Sequence, residues 1–274
     1  MTARAAPSWD CHVHVFDAGA SVAEGHYRPA HRPLACIAQL AQANGFDRLV
    51  LVQPSVYGMD NRVLLEALRA GQGRHRGVVV LPPSVADAAL GAMHALGVRG
   101  VRFNLVSPVG DSLRTAEGSG ALESFRALAP RLRALGWHVQ WYAAPEDLPL
   151  IAALHADSAV PAVLDHLAGM HAGIAPGHPA WQALEQLAAG GAWIKLSGWY
   201  RLGAQAPYDA LNGAVRKVAG LFGERMVWGS DWPHTAFAPD ALPGYASTWE
   251  PVARTLTAAQ KQCIREQAPA SLYA

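Results

Sequence analysis

Trp9-Asp-Cys-His-Val-His-Val-Phe16 is the first β-like run of the chain, and it carries two histidines two positions apart. Side chains at that spacing share one face of a strand, so His12 and His14 are expected to point the same way. Working outward, runs of the same kind recur at 48–53, 76–81, 98–104, 137–142, 160–165, 192–197 and 225–230. Amphipathic, Ala/Leu-rich stretches separate them, among them Asn61 to Arg69, Leu122 to Leu135 and Trp181 to Ala189. Several of the β runs are almost wholly apolar, as strands are when both faces are covered, which argues for a parallel sheet with crossover helices. A doubly wound open sheet accommodates the same alternation. Eight rounds over about 250 residues, however, is the arithmetic of a (β/α)8 barrel, and no Gly-x-Gly-x-x-Gly follows the first strand to signal a dinucleotide site. The expected fold is α/β, a distorted (β/α)8 TIM barrel forming a single domain over 1–274. Trp232 to Pro251 reads as a long loop after strand 8, packed over the barrel mouth or lending surface to a subunit contact.

Composition narrows the function classes. The chain has 274 residues, 51% of them hydrophobic, with 22 basic against 21 acidic side chains. That balance, without a dense Lys/Arg run, leaves no electrostatic footprint for nucleic acid or anionic lipid. No stretch approaches the roughly 18 apolar residues of a membrane span, and positions 1–10 lack a signal-peptide core. A cytoplasmic protein with a small-molecule partner is expected, with room for a homo-oligomer. Cys11, Cys36 and Cys263 are odd in number and far apart, so a disulfide frame or thiolate zinc site is not expected; they read as reduced and mostly buried. Strand alternation places Cys11 on the face opposite His12 and His14, which argues against a Cys/His nucleophile.

In such a barrel the reactive groups gather where strands end and βα loops begin. The polar residues of this chain fall at those places: His12 and His14 on strand 1, Gln53 and Ser55 on strand 2, Arg102 and Asn104 on strand 4, Gln140 and Tyr142 on strand 5. Strand 6 offers His166, strand 7 Lys195, Ser197 and then Tyr200-Arg201, and strand 8 Asp231. Three histidines and one carboxylate form the set for hydrolysis, with Asp231 as base. Arg102 suits a substrate carboxylate or a bracing ion pair, and Arg201 a substrate carboxylate or solvent. Lys195 reads as structural, paired with a carboxylate such as Asp10. His31, His75, His94, His155, His171 and His178 form no constellation. Gly110-Asp-Ser-Leu113 spells an esterase motif, but in the wrong fold context for that chemistry.

These motifs together resemble the amidohydrolase superfamily, and within it the branch of 2-pyrone-4,6-dicarboxylate and sugar-acid lactonases. The resemblance runs through Asp10-Cys-His-Val-His14, Val50-Leu-Val-Gln-Pro54, Gly100-Val-Arg-Phe-Asn104, Leu164-Asp-His166, Lys195-Leu-Ser-Gly198, Gly229-Ser-Asp-Trp-Pro-His234 and Ala268-Pro-Ala-Ser-Leu-Tyr273. It implies a hydrolase that opens a carboxylate-bearing lactone. His12, His14 and His166 would surround the scissile carbonyl, Asp231 would act as general base and acid toward water, and Arg102 and Arg201 would hold substrate carboxylate. Asn104, Ser55, Tyr142 and Gln140 complete the expected substrate-binding set. Where the dicarboxylate lactonases carry a second arginine, this chain has Val106-Ser-Pro108. A lactone with one carboxylate, or a hydroxyl-rich sugar-acid lactone, therefore stands beside the pyrone dicarboxylate as the expected substrate.

The two-metal centre of other superfamily members needs further ligands on strand 5, where this chain has Gln140. One Zn²⁺ or Mn²⁺ on His12, His14, His166 and Asp231 is the remaining metal option, and the branch resembled implies no obligatory metal. The alternatives are a mononuclear metal-dependent amidohydrolase or decarboxylase and, outside enzymes, a small-molecule binding protein on an inactive barrel.

Overall fold

The computed structural model describes residues 6–22, 28–106, 120–235, 237 and 240–274; Ser107, Pro108 and the Gly110 to Leu113 motif lie outside them. Eight strands pair in parallel in chain order: β1 (Trp9–Val13), β2 (Arg48–Val52), β3 (Arg76–Val79), β4 (Val98–Asn104), β5 (His138–Tyr142), β6 (Ala162–Leu164), β7 (Trp193–Leu196) and β8 (Met226–Trp228). The crossovers carry α1 (Leu34–Ala43), α2 (Arg62–Ala70), α3 (Asp87–Ala95), α4 (Ala121–Ala134), α5 (Leu148–Ala156), α6 (Pro179–Ala189) and α7 (Asn212–Phe222). After β8 come α8 (Glu250–Thr255), α9 (Ala258–Arg265) and α10 (Gln267–Leu272). The barrel expected from the sequence is the fold observed, each strand falling within its expected run. No helix among the described residues is long and apolar enough to cross a membrane.

Strand alternation divides the core in two. Leu49, Leu51 and Val79 face outward and pack with Ile37, Leu64 and Leu68 of the helix layer, while Val50, Val52, Val78 and Val227 fill the barrel interior with Trp9 and Tyr273. Tyr273 stacks on Trp9 at 6.0 Å and meets His138 edge-on at 5.5 Å. Since Trp9 and His138 begin their strands, this cluster plugs the amino-terminal end of the barrel, leaving the other end for chemistry. The seam between β8 and β1 is bonded by the residues just past β8: Asp231 N donates to His12 O and His14 N to Trp232 O, each at 2.9 Å.

A register shift between Asp10 and Val13 puts one extra residue into β1 opposite β2. This bulge resets the alternation, and it corrects the expected placement of Cys11. That side chain joins the interior cluster beneath the histidines instead of facing the helices. Its thiol is fully buried and pushed well up by that burial, so it is still no nucleophile. The cysteines as a group are not mostly buried: Cys36 is exposed and Cys263 half-buried. The stretch after β8 is also more ordered than a loop, since Tyr245–Trp249 form a 3-10 turn and Thr248 O accepts from both Trp199 Nε1 and Trp228 Nε1.

Candidate active site

Asp231 sits fully buried two residues past Gly229, and glycine is what lets this segment come so close to β1. A Cβ on Gly229 would lie 2.5 Å from His12 Cβ and 2.8 Å from His12 N, well inside van der Waals contact. Asp231 itself adopts φ 59°, a left-handed conformation that costs a non-glycine residue about 1–3 kcal/mol. His166 (φ 49°) does the same at the end of β6. There Gly198 must lack a side chain, because a Cβ would collide with the His166 ring.

The result is a convergence on one carboxylate oxygen. Asp231 Oδ1 lies 3.4 Å from His14 Nε2, 3.6 Å from His12 Nε2 and 4.0 Å from His166 Nε2. Each ring is fixed from behind. His14 Nδ1 donates to Val52 O at 2.8 Å, His166 Nδ1 contacts Ser197 Oγ at 3.0 Å, and His12 Nδ1 faces Asp165 Oδ1 at 3.3 Å. In front, His12 Nε2, His166 Nε2 and Asp231 Oδ1 are buried without a hydrogen-bond partner. A carbonyl oxygen only accepts, so His14 carries a proton on Nδ1 and turns Nε2 toward Asp231.

The other oxygen of Asp231 is held tightly. Tyr200 OH donates to Oδ2 at 2.6 Å and Arg201 Nε at 2.7 Å. Burial alone would raise this carboxyl, but the Arg201 guanidinium beside it holds it well below the usual carboxylate range. Burial lowers His12 far below the usual imidazole value and His166 to about 4 despite the nearby carboxylates. Two guanidinium groups approach the Tyr142 ring, Arg102 at 5.3 Å and Arg201 at 5.8 Å, and the ring meets His166 edge-on.

Beneath this centre lies a second buried carboxylate, Asp165. Its Oδ2 accepts from Arg102 Nε at 3.0 Å and Gln140 Nε2 at 2.9 Å, and its Oδ1 lies 3.5 Å from Lys195 Nζ. Lys195 Nζ in turn donates to Gln140 Oε1 at 2.6 Å. Lys195 is thus a buried ion-pair member, with Asp165 in place of the Asp10 expected from the sequence. Asp10 instead accepts from Ser230 Oγ and Tyr245 OH at 2.6 and 2.8 Å, and burial raises its carboxyl to about 6.

The pattern of the Amidohydrolase family matches residues 9–274. The chain belongs to this family. It is therefore a hydrolase of amidohydrolase type on a barrel scaffold. Its relatives include a 2-pyrone-4,6-dicarboxylate hydrolase of Comamonas testosteroni, 32% identical over 82% of this chain and 76% of the relative. A 4-sulfomuconolactone hydrolase of Rhizobium radiobacter is 31% identical over 90% of this chain and 83% of the relative. A solved structure from Pseudomonas putida, described provisionally as a 2-pyrone-4,6-dicarboxylic acid hydrolase, superposes with a TM-score of 0.85 at 32% identity over 98% of each chain.

The residues of this amidohydrolase fit one divalent cation. His12, His14 and Asp231 offer ligand atoms within 4.8 Å of one another, and His166 Nε2 lies 4.0 Å from the same oxygen. Ligands about 2.1 Å from a tetrahedral ion stand about 3.4 Å apart, near the His14 to Asp231 separation. A second group, His12, Asp165 and His166, has the same donor types. There Lys195 Nζ already stands 3.5 Å from both His12 Nδ1 and Asp165 Oδ1, so a buried ammonium occupies the place of another cation.

The remaining expected residues divide by what they touch. Gln140, expected against substrate, is fully buried with both amide ends engaged by Asp165 and Lys195. Asn104 ends β4 half-buried, its Oδ1 accepting from Val106 N, and Ser55 opens a 3-10 turn just past β2. Arg102 and Arg201, expected on substrate carboxylate, each turn Nε toward a protein carboxylate. Histidines set aside from the sequence are structural: His75 Nδ1 accepts from Leu49 N, His94 Nδ1 from Trp137 Nε1 and His155 Nε2 from Trp141 Nε1. Asp165 and His234 were given no role from the sequence, and Tyr200 was placed at the barrel mouth only beside Arg201. The signal for Asp165 was its place in Leu164-Asp-His166, hidden by the expectation that neighbours on a strand face opposite ways.

Proposed function

We propose that this amidohydrolase opens a carboxylate-bearing lactone by water attack, with Asp231 as general base and then general acid. The observation that carries the reading is the unpartnered Asp231 Oδ1 facing three imidazoles, beside Tyr142 and its two arginines. Relatives named as a pyrone-dicarboxylate hydrolase and a sulfomuconolactone hydrolase support the lactone as substrate class, and the arginines supply the charge for its acid group. The whole chain, 1–274, acts as one barrel unit in this reading.

Tyr200 and Arg201 fix Oδ2, so Oδ1 is the oxygen free to take a proton from water. The lowered carboxyl keeps Asp231 ionised at neutral pH, the state in which Oδ1 can accept a proton. The carbonyl oxygen becomes an oxyanion during attack, and one well-aimed donor is worth about 3–4 kcal/mol to that state. His12 and His166, locked from behind by Asp165 and Ser197, hold the carbonyl within the imidazole cluster. As the ring ester breaks, Asp231 returns its proton to the leaving oxygen. Arg102 and Arg201 bring their guanidinium groups near Tyr142, where a planar fork would bind both carboxylate oxygens.

His12, His14, His166 and Asp231 would hold one Zn²⁺ or Mn²⁺. When bound, such an ion supplies carbonyl polarisation and a more acidic water. The missing strand 5 ligand weighed against a two-metal centre, and the resemblance implied no obligatory metal; the orphaned Nε2 and Oδ1 atoms bring one bound ion into the proposal. A panel of acidic pyrone and sugar-acid lactones, followed with a pH indicator, tests the activity. Acid release by the wild type but not by Asp231→Asn is expected, and a panel left wholly unopened removes the reading.

A further inference from the structure

The reacting centre straddles the seam at which the barrel closes. Parallel ladders join each strand to the next from β1 to β8. Among the described residues β8 and β1 share no such ladder and meet through the bridge of Val13 with Trp232 and the backbone bonds of His14 and Asp231. His12 and His14 stand on the β1 side of this seam and Asp231 on the β8 side. Their separations from Asp231 Oδ1, 3.6 and 3.4 Å, therefore depend on how firmly the two segments are held together. Reacting groups need to be kept within about 0.5 Å of their working geometry.

Asp10 lies fully buried at this seam, two residues before His12. Its Oδ1 accepts from Ser230 N at 2.9 Å and His12 N at 3.2 Å, and its Oδ2 from Ser230 Oγ at 2.6 Å and Tyr245 OH at 2.8 Å. A carboxylate has about four lone-pair sites, and a donor meets each of them here. The two backbone N–H groups can only donate, and the Ser230 oxygen itself accepts from Trp232 N at 3.2 Å, turning its proton to Asp10. All four partners are neutral, unlike the cations around Asp165. They belong to three segments: β1, the residues just past β8, and the 3-10 turn Tyr245–Trp249. The last is anchored in turn, the Tyr245 ring standing 6.2 Å from Phe46 and 5.9 Å from Trp228.

These bonds fall where slack would be felt at the centre. The bond to His12 N lies within the register shift between Asp10 and Val13 and fixes the bulge that carries His12. The bonds to Ser230 hold the residue directly before Asp231, whose left-handed backbone must be fixed by its surroundings. We propose that Asp10 is a positioning residue: one carboxylate clamps β1 to the segment after β8 and so sets the distance from Asp231 to His12 and His14. Buried and with its acceptor sites filled, it acts through His12 and Ser230 and not on the lactone. The inference rests on the lactone-hydrolase reading for its effect on turnover, while the clamp itself stands on geometry.

Asp10→Asn tests the clamp. The amide keeps one oxygen for the two backbone donors and turns an NH2 group toward Ser230 Oγ and Tyr245 OH, so half of the clamp is lost. Crystal structures of wild type and variant are expected to show Asp231 Oδ1 farther from His12 Nε2 in the variant by about 0.5 Å or more. Turnover of an acidic lactone, measured well below both melting temperatures, should fall about ten-fold or more in kcat with KM within about two-fold. Tyr245→Phe, which removes one hydroxyl from the far anchor, should change both readouts in the same direction to a smaller extent, and it carries the test if Asp10→Asn does not fold. Thr257→Ala is the comparison: it removes the side-chain cap of α9, which lowers Tm and should leave kcat unchanged. An unchanged separation overturns the clamp, as does a loss of kcat no greater than in Thr257→Ala. The two readings separate cleanly: a wider seam in a protein that opens no lactone removes the activity alone, and an unchanged seam in an active enzyme removes the clamp alone.

Discussion

Two buried carboxylates at strand ends, Asp165 and Asp231, have nearly the same burial and opposite surroundings. Asp165 Oδ2 accepts from Arg102 and Gln140, and its Oδ1, itself without a hydrogen bond, stands 3.5 Å from the Lys195 ammonium and 3.3 Å from His12 Nδ1. Asp231 is enclosed on one side only. Oδ2 is gripped by Tyr200 and Arg201, while Oδ1 faces imidazole nitrogens that give it no hydrogen bond. A buried carboxylate paired with two cations is a structural group, whereas one whose second oxygen meets only imidazoles is a candidate for the proposed base. Asp231 and His166 both hold a left-handed backbone, which persists in a non-glycine residue only where the surroundings fix it.

The largest expected effect breaks the comparison at Asp231. Asp231→Asn keeps the shape of the side chain and its contacts with Arg201 but cannot accept a proton, so kcat should fall by about 10³–10⁴ with the circular dichroism spectrum unchanged. Normal turnover in that variant would remove Asp231 as the base. The same change at Asp165 should act through stability. Asp165→Asn leaves Lys195 and Arg102 buried without their counter-charge, which costs about 3–5 kcal/mol and should lower Tm by about 10 °C. A variant that melts like the wild type yet loses activity would make Asp165 a participant in the reaction.

How far this contrast was legible in the sequence follows from strand geometry. The eight runs and the convergence of His12, His14, His166 and Asp231 were readable because a period of two and a rule about strand ends suffice to place them. The partners of those residues were not, because they sit where the period breaks. The bulge in β1 brings Cys11 and His12 to the same interior. The left-handed turn at His166 lets Asp165 and His166 both face the centre, and the 3-10 turn Trp199–Leu202 brings the adjacent Tyr200 and Arg201 to one oxygen. Lys195 was correctly read as paired, but to the wrong carboxylate, since sequence cannot tell which of two buried acids stands across a barrel.

Arg102 joins the two regions, for it braces Asp165 through Nε and stacks over Tyr142 at the mouth. Arg102→Met should raise KM for acidic lactones about ten-fold more than for neutral ones. Loss of the brace alone would affect both substrates alike, so equal effects would return Arg102 wholly to the Asp165 network.

The finest test concerns why Asp231 presents one particular oxygen. Tyr200 and Arg201 both donate to Oδ2, and either alone would leave the carboxylate able to swing about its terminal torsion, which is broad. Tyr200→Phe removes one donor and changes little else in shape. A hydrogen bond to a charged group contributes about 1.5–3 kcal/mol, part of which Arg201 retains, so a fall in kcat of about ten-fold with KM nearly constant is expected. Such a split identifies a positioning residue acting through Asp231, because a substrate contact would be felt in KM. If instead KM rises and kcat holds, Tyr200 binds the lactone directly, and the asymmetry between the two oxygens of Asp231 rests on Arg201 alone.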